Sequence, residues 1–233
     1  MKRIVFGILL FSGVVSFCAA DEKSEMSYAF GMIIAADLVE TGFEFNYDTF
    51  IQGFRETMEK EKTRYTMNEA MEIIDAAFEA AHTKLGEQNR ALGDAFLAEN
   101  SKRKEVTVTS SGLQYEVVTE GSGDKPSVAD VVLVHYRGAT IDDAVFDSTY
   151  ESGGPIEVPL DRVIPGWSEG LRMMREGGKA ILYIPPNLAY GENGAGKAIG
   201  PNTVLVFDID LLGIVRPPEG PPESPPPGEP DGE

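Results

Sequence analysis

From Glu99 the chain reads Glu99-Asn100-Ser101-Lys102-Arg103-Lys104-Glu105-Val106-Thr107-Val108-Thr109-Ser110-Ser111-Gly112-Leu113-Gln114-Tyr115-Glu116-Val117-Val118. Around Val106 the spacing of apolar residues changes from three or four to two. A period near 3.6 places apolar residues on one face of a helix, whereas a period of two places them on one face of a strand. The chain therefore divides here. A helical part precedes Val106 and a sheet follows it, predicting an α+β protein.

Upstream, the pattern is helical from Ser24 to about Lys104. Ser27 to Leu38 has apolar residues at helical spacing and stops at Gly42. Asp48 is expected to cap a second short helix, with Phe54 and Met58 on its inner face. Thr66-Met67-Asn68-Glu69 reads as a capping box, in which two side chains satisfy otherwise orphan amides. Behind it runs a proline-free segment carrying Met71, Ile74, Phe78, Ala81, Leu85, Leu92 and Phe96 every three or four positions, weakened slightly by Gly86 and Gly93. Such a helix is roughly 50 Å long at 1.5 Å per residue. Two short helices cannot cover its whole apolar stripe, so residues 21–105 are expected to pair with a second copy. The competing reading is a compact bundle folded on itself. Met26, Met32, Met58, Met67 and Met71 suit an adaptable interface.

Downstream, Val106–Val108, Leu113–Val118, Val131–Tyr136, Ala180–Ile184 and Thr203–Leu212 alternate as strands, separated by Gly- and Pro-rich loops. One short helix fits between Trp167 and Met174. Residues 106–215 are thus read as a curved antiparallel sheet packed on a single short helix. Residues 216–233 are nearly all Pro, Gly, Glu and Ser, which cannot build a core, and read as a disordered acidic tail. Docking of that tail into a pocket as an internal proline ligand is the other reading.

The first twenty residues stand apart. Lys2 and Arg3 precede an apolar run from Ile4 to Phe17 and a small-residue end at Cys18-Ala19-Ala20. This is the layout of a secretory signal, and the run is short for a membrane span. Cleavage after Ala20 removes Cys18, the one cysteine of the chain, which excludes disulfides and thiol catalysis. Cleavage before Cys18 with lipid attached to its sulfur is the alternative, giving a periplasmic protein or an outer-membrane lipoprotein. A formal charge of −18 argues against nucleic acid and against simple electrostatic binding to anionic lipid, and at the least serves solubility.

Several chemistries are excluded. Gly191 to Lys197 has the spacing of a phosphate-binding loop, but Ala198 stands where Ser or Thr would hold magnesium, and a strand follows where a helix is needed. His82 and His135 have no second His or Cys at ligand spacing, so no metal is expected. No nucleophile is paired with a base. No cofactor is expected.

What remains is an ordered set: Val134-His135-Tyr136-Arg137-Gly138, Val145-Phe146-Asp147-Ser148-Thr149, Val163-Ile164-Pro165-Gly166-Trp167, Ile184 to Gly191, and Leu205-Val206-Phe207-Asp208. In these segments the chain resembles the FK506-binding class of peptidyl-prolyl cis-trans isomerases. Phe96 to Asn100 and Ser111 to Tyr115 resemble the helix-to-domain junction of its two-domain, dimeric bacterial branch, the macrophage infectivity potentiator and periplasmic folding isomerase type. The resemblance implies that Trp167 floors a proline pocket walled by Tyr136, Phe146 and Phe207. It implies that Val163 and Ile164 line the pocket, Ile164 offering its amide to the bound carbonyl, and that Tyr190 offers a hydroxyl to the substrate. Ile199 would line the rim, and Ile156 stands where single-domain members have a further phenylalanine. Asp147, Tyr190 and Trp167 would carry catalysis. The implied partners are proline-containing or unfolded polypeptides, FK506- or rapamycin-type macrolides, and a second copy of the chain.

The chemistry suits these residue types. Rotation about an X–Pro bond is opposed by amide resonance, a barrier of about 18–20 kcal/mol. The twisted state is less polar at its carbonyl, so a dry aromatic pocket favours it without any nucleophile. Asp147 would be an inward carboxylate acting on that carbonyl; a hydrogen-bonding turn residue is the plainer reading. A holding chaperone, gripping clients between dimer arms with isomerase activity secondary, is the competing function.

Overall fold

The computed structural model describes residues 20–215. The expected signal segment up to residue 19, with Cys18, and the residues of the expected acidic tail lie outside the described residues. By compactness the chain divides between Asn68 and Glu69.

The first unit contains α1 (Ala20–Val39) and α2 (Tyr47–Met58). After α1 the chain turns at Gly42, whose φ of +70° is in the left-handed region that glycine adopts without strain. The cap of α2 is Asn46 rather than Asp48: its backbone is extended, and its side chain accepts a 3.0 Å bond from the Thr49 amide. Asp48 falls one position inside the first turn, where its charge instead meets the positive end of the helix dipole. Phe45 and Phe50 meet edge to face at 6.2 Å. None of the described side chains of this unit is buried. Phe30, Met32, Ile33, Ile51, Phe54 and Met58 all stand exposed.

The second unit joins the long helix α3 (Met67–Asn100) to the sheet. Thr66 immediately precedes the helix and Glu69 sits in its first turn, the positions that the capping-box pattern predicts. The strands are β1 (Val106–Val108), β2 (Gln114–Thr119), β3 (Val131–Thr140), β4 (Val145–Ser148), β5 (Ile156–Pro159), β6 (Gly178–Ile184) and β7 (Leu205–Val215). They form one antiparallel sheet in the order β1-β2-β6-β7-β3-β4, with β5 pairing β3. Between them lie the four-residue helix α4 (Thr149–Ser152) and α5 (Pro165–Met173). Alternation does what it should on one face. Val132, Val134 and Tyr136 of β3 and Leu205, Phe207, Ile209 and Leu211 of β7 point into a core closed by Trp167 and Leu171 of α5. The helix lies close to the sheet because a Cβ at Gly170 would stand 2.5 Å from Leu182 Cδ1, and one at Gly166 would stand 2.4 Å from Ile184 Cγ2.

β4 and β5 have no counterpart among the strands predicted from sequence. Each is only four residues long, too short to display a period, and each exists by pairing with β3. The short helix predicted from Trp167 begins at Pro165, a residue whose fixed φ suits the first helical position.

The C-terminal half of α3 docks on the sheet through a stripe distinct from its apolar one. Its three buried residues are Gly86, Gly93 and Asn100, at seven-residue intervals. At the junction Asn100 Nδ2 donates to Gln114 Oε1 at 2.9 Å, and Gln114 Nε2 donates to the Leu97 carbonyl at 2.8 Å. Arg103 donates to Asn100 Oδ1, to the Tyr183 hydroxyl and to Glu116, while Phe96 packs on the Tyr183 ring at 5.8 Å. Gln114 is the centre of this lock and is buried. Replacing it by the similarly shaped Met leaves a buried amide and a carbonyl without partners, which costs about 1–3 kcal/mol. Urea unfolding of Gln114→Met followed by Trp167 fluorescence should show that loss; an unchanged midpoint would mean that the lock contributes nothing.

Candidate functional site

The site grows from Phe207, in the middle of β7. Its β-sheet partners are Gly138 on β3 and Leu182 on β6, so one neighbour has no side chain and the other fills the core. The vacancy at Gly138 admits rings: a Cβ there would stand 2.7 Å from Phe207 and 2.8 Å from Phe146. Phe146, on β4, meets Phe207 edge to face at 5.6 Å. Trp167, at the start of α5, meets Phe207 at 5.1 Å and Tyr136 at 4.9 Å, both nearly perpendicular. Tyr136 and Phe207 are 6.1 Å apart and tilted. Perpendicular pairs set the positive edge of one ring against the negative face of the next, the arrangement that aromatic quadrupoles favour.

Trp167, Tyr136 and Phe207 are buried, and Phe146, Val163 and Ile164 pack partly buried against the same core. The indole Nε1 of Trp167 is buried with no hydrogen-bond partner among the described residues. Such an orphan donor is costly in a plain core and is a recurrent mark of a site. Ile164 precedes α5, and its carbonyl accepts from the amides of Trp167 and Ser168, while its own amide donates to no described backbone carbonyl.

Asp147 enters through strand register. It pairs with Gly138, which sets it beside Tyr136 of the same strand. The Tyr136 hydroxyl donates to Asp147 Oδ2 in a short hydrogen bond. Burial first, then the Asp147 carboxylate and the neighbouring Tyr190, raise the Tyr136 pKa well above the ordinary tyrosine range. The hydroxyl is therefore a donor at any physiological pH. Asp147 as a whole is exposed and meets the cluster through its bond to Tyr136.

The remaining residues lie further out. Tyr190 is 41% exposed, close enough to Tyr136 to act on it electrostatically. Ile199 is buried in the core cluster, held by a two-way backbone bridge to Ala195. Ile156 is 40% exposed, opposite Val134 on β5, and is outside the aromatic cluster. Sequence reasoning missed the role of Gly138 as the seat of two rings and the bond between Tyr136 and Asp147. Both depend on the pairing of β3 with β4, and β4 gives no periodic signal. His135, read as structural, bonds Thr149 Oγ1 at 2.9 Å and stacks on Tyr150 at 4.6 Å. No cluster of His, Cys, Asp or Glu fit to hold a metal occurs among the described residues.

Residues 123–212 match the family profile described as FKBP-type peptidyl-prolyl cis-trans isomerase. Residues 23–117 match that of the domain amino-terminal to it. A probable FKBP-type isomerase FkpA of Neisseria meningitidis is 40% identical over 203 residues, covering 83% of this chain and 75% of the relative. The outer membrane protein MIP of Legionella longbeachae is 33% identical over 227 residues, covering 92% and 97%. The crystal structure of FkpA from Escherichia coli superposes with a TM-score of 0.71 at 34% identity, covering 85% of this chain and 98% of that one. With both profiles matched in order and relatives this similar along most of its length, the chain belongs to the FKBP-type peptidyl-prolyl cis-trans isomerases.

Proposed function

We propose that this isomerase seats the proline ring of an X–Pro segment on Trp167, between Tyr136, Phe146 and Phe207, and that its substrates are exported polypeptides. The observation that carries the reading is the packing of three rings around Phe207, two of them nearly perpendicular to it, with a buried indole N–H left unpartnered among the described residues. A proline ring is flat-sided and apolar and lacks an N–H, so it suits an aromatic floor. Val163 and Ile164 line the pocket, and the Ile164 amide binds a substrate carbonyl. Tyr190 donates its hydroxyl to the peptide, with Ile199 and Ile156 at the rim.

The reaction lowers a barrier of about 18–20 kcal/mol by favouring the twisted amide. Removing the X–Pro carbonyl from water weakens the resonance form with charge on oxygen. Asp147, held by Tyr136, adds a fixed negative field beside the rotating carbonyl and needs no reorganisation during the step. The same pocket is the place for FK506- or rapamycin-type macrolides.

Export is supported by the signal-like first twenty residues and by a relative named as an outer membrane protein. Lipidation at Cys18 would leave the protein on a membrane; cleavage after Ala20 would release it to the periplasm. Residues 21–105 form the homodimerisation arm, supported by helices α1 and α2, whose apolar residues are at most partly covered within their own unit, none being buried.

Two measurements test this reading. Tyr136→Phe and Asp147→Ala should each lower kcat/KM for a proline peptide by roughly 10- to 100-fold, the loss of one short charge-assisted bond. The double variant should be no worse than the weaker single one, because both changes break the same bond. Full activity in Asp147→Ala with the fold intact would remove its catalytic role. For the arm, sedimentation of residues 21–233 should give a dimer, and Ile33→Glu with Phe54→Glu should dissociate it without changing activity on a short peptide.

A further inference from the structure

Two residues with pocket roles, Tyr190 and Ile199, sit on one loop that joins β6 to β7. The loop has little regular structure of its own: two 3-10 turns, at Pro186–Leu188 and Gly191–Asn193, and the bridge between Ala195 and Ile199. Its two ends are drawn together at Asn202, whose amide donates to the Gly191 carbonyl at 2.8 Å. A long loop with so little regular structure sits at the low end of local stability unless something else fixes it.

Leu188, Ala189, Ala195 and Ile199 rest on the core, and the rest of the loop is fixed by α3. Asn89 Nδ2 donates to the Pro201 carbonyl at 2.8 Å and to Thr203 Oγ1 at 3.3 Å, and Thr203 Oγ1 donates onward to the Gly200 carbonyl at 2.9 Å. Asn202 Nδ2 donates to the Gly86 carbonyl at 3.3 Å. Arg90 Nη2 reaches Asn202 Oδ1 at 3.2 Å and Glu192 Oε1 at 3.1 Å. The approach is possible because the helix presents glycine: a Cβ at Gly86 would stand 3.1 Å from Asn202 Nδ2, and one at Gly93 would stand 2.6 Å from Val204 Cγ2. The anchored residues adjoin the pocket residues in sequence. Gly191 follows Tyr190, and Gly200 follows Ile199.

We propose that Asn89, assisted by Arg90, is a positioning residue of the isomerase, and that α3 thereby helps set which residues are accepted beside the proline. The proposal rests on the reading of Tyr190 and Ile199 as pocket residues. Asn89 outweighs Arg90 because its bonds are partly buried, whereas both partners of the Arg90–Glu192 pair are largely exposed and water-screened. The clamp touches no reacting atom. It holds the wall against which the residue before proline is placed, and errors of position there are amplified in rate.

The test uses the full chain and the near-isosteric Asn89→Asp, which replaces the donor facing the Pro201 carbonyl with a second acceptor. Peptides that differ only in the residue before proline report kcat and KM separately, and hydrogen exchange reports the Ile199 and Asn202 amides. KM should rise roughly three- to tenfold, the fold-change carried by one neutral hydrogen bond, with kcat nearly unchanged. Discrimination among the peptides should narrow, and exchange at both amides should quicken. Arg103→Met, which loosens α3 at its other end without touching the loop, should leave KM and discrimination alone. If Asn89→Asp does not fold, Arg90→Ala on the exposed side of the clamp should move KM and discrimination in the same direction by less. Quickened exchange with unchanged KM and discrimination would overturn the proposal, and so would equal changes in Arg103→Met. Tyr190→Phe separates the two readings. If it weakens activity while Asn89→Asp does not, the clamp fails and the pocket stands; if both are silent, the pocket role of Tyr190 falls and takes the proposal with it.

Discussion

At Gly138 strand β3 has no side chain, and a Cβ built there would stand 2.7 Å from one ring and 2.8 Å from another. Phe207 on β7 and Phe146 on β4 can therefore meet across β3, which separates their strands in the sheet. The same residue is the register partner of both Phe207 and Asp147. One missing methyl thus governs the aromatic walls, and one register governs the carboxylate. Any larger residue at this position would have to displace a ring, and the neighbours of Phe207 leave it nowhere to go: Trp167 is 5.1 Å away and Leu182 is fully buried.

α3 answers a second constraint, that one helix must dock on the sheet and also carry an exposed apolar stripe. A helix can do this only if its two jobs use different faces. Gly86, Asn89, Gly93 and Asn100 face the sheet and its loop, while Leu85 and Leu92 stay 44% and 62% exposed. In a helix interior glycine costs about 1 kcal/mol relative to alanine. Here that cost brings the helix axis close enough for the Asn202 side-chain amide of the loop to reach the Gly86 carbonyl of the helix. The glycines that look like weaknesses in a linear reading are the docking surface.

Much of this was legible in the chain, and for physical reasons. The change of period at Val106 located the passage from helix to sheet, because both periods persist over many residues there. The long helix was visible from its uninterrupted spacing and its capping residues. The aromatics of the proposed pocket were visible only because their local motifs resemble a known family; periodicity alone would have placed Tyr136 and Phe207 in an ordinary core, where indeed they belong. Hidden from the sequence were features that arise between distant segments. Asn89 is joined to Pro201 across 112 positions, and Tyr136 to Asp147 only through the pairing of a four-residue strand. Asn46 displaced Asp48 as the cap of α2 because either residue can cap, and backbone geometry two residues earlier decides which one does.

The distribution of polar groups around the rings bears on how the site can act at all. A pocket lined only by carbon would bind proline but would treat the planar and twisted amides almost alike, and binding both equally leaves the rate unchanged. Discrimination needs fixed polarity at the edge of the dry surface. In the proposed site three groups would supply it: the Asp147 oxygen bonded by Tyr136, the indole N–H of Trp167, unpartnered among the described residues, and the Ile164 amide before α5. Each is held by structure built for another purpose, respectively a strand register, a helix–sheet contact and a helix start. Their positions are therefore set before any peptide arrives. That is the condition under which electrostatics contributes to a barrier, because no free energy is then spent on turning dipoles during the rotation.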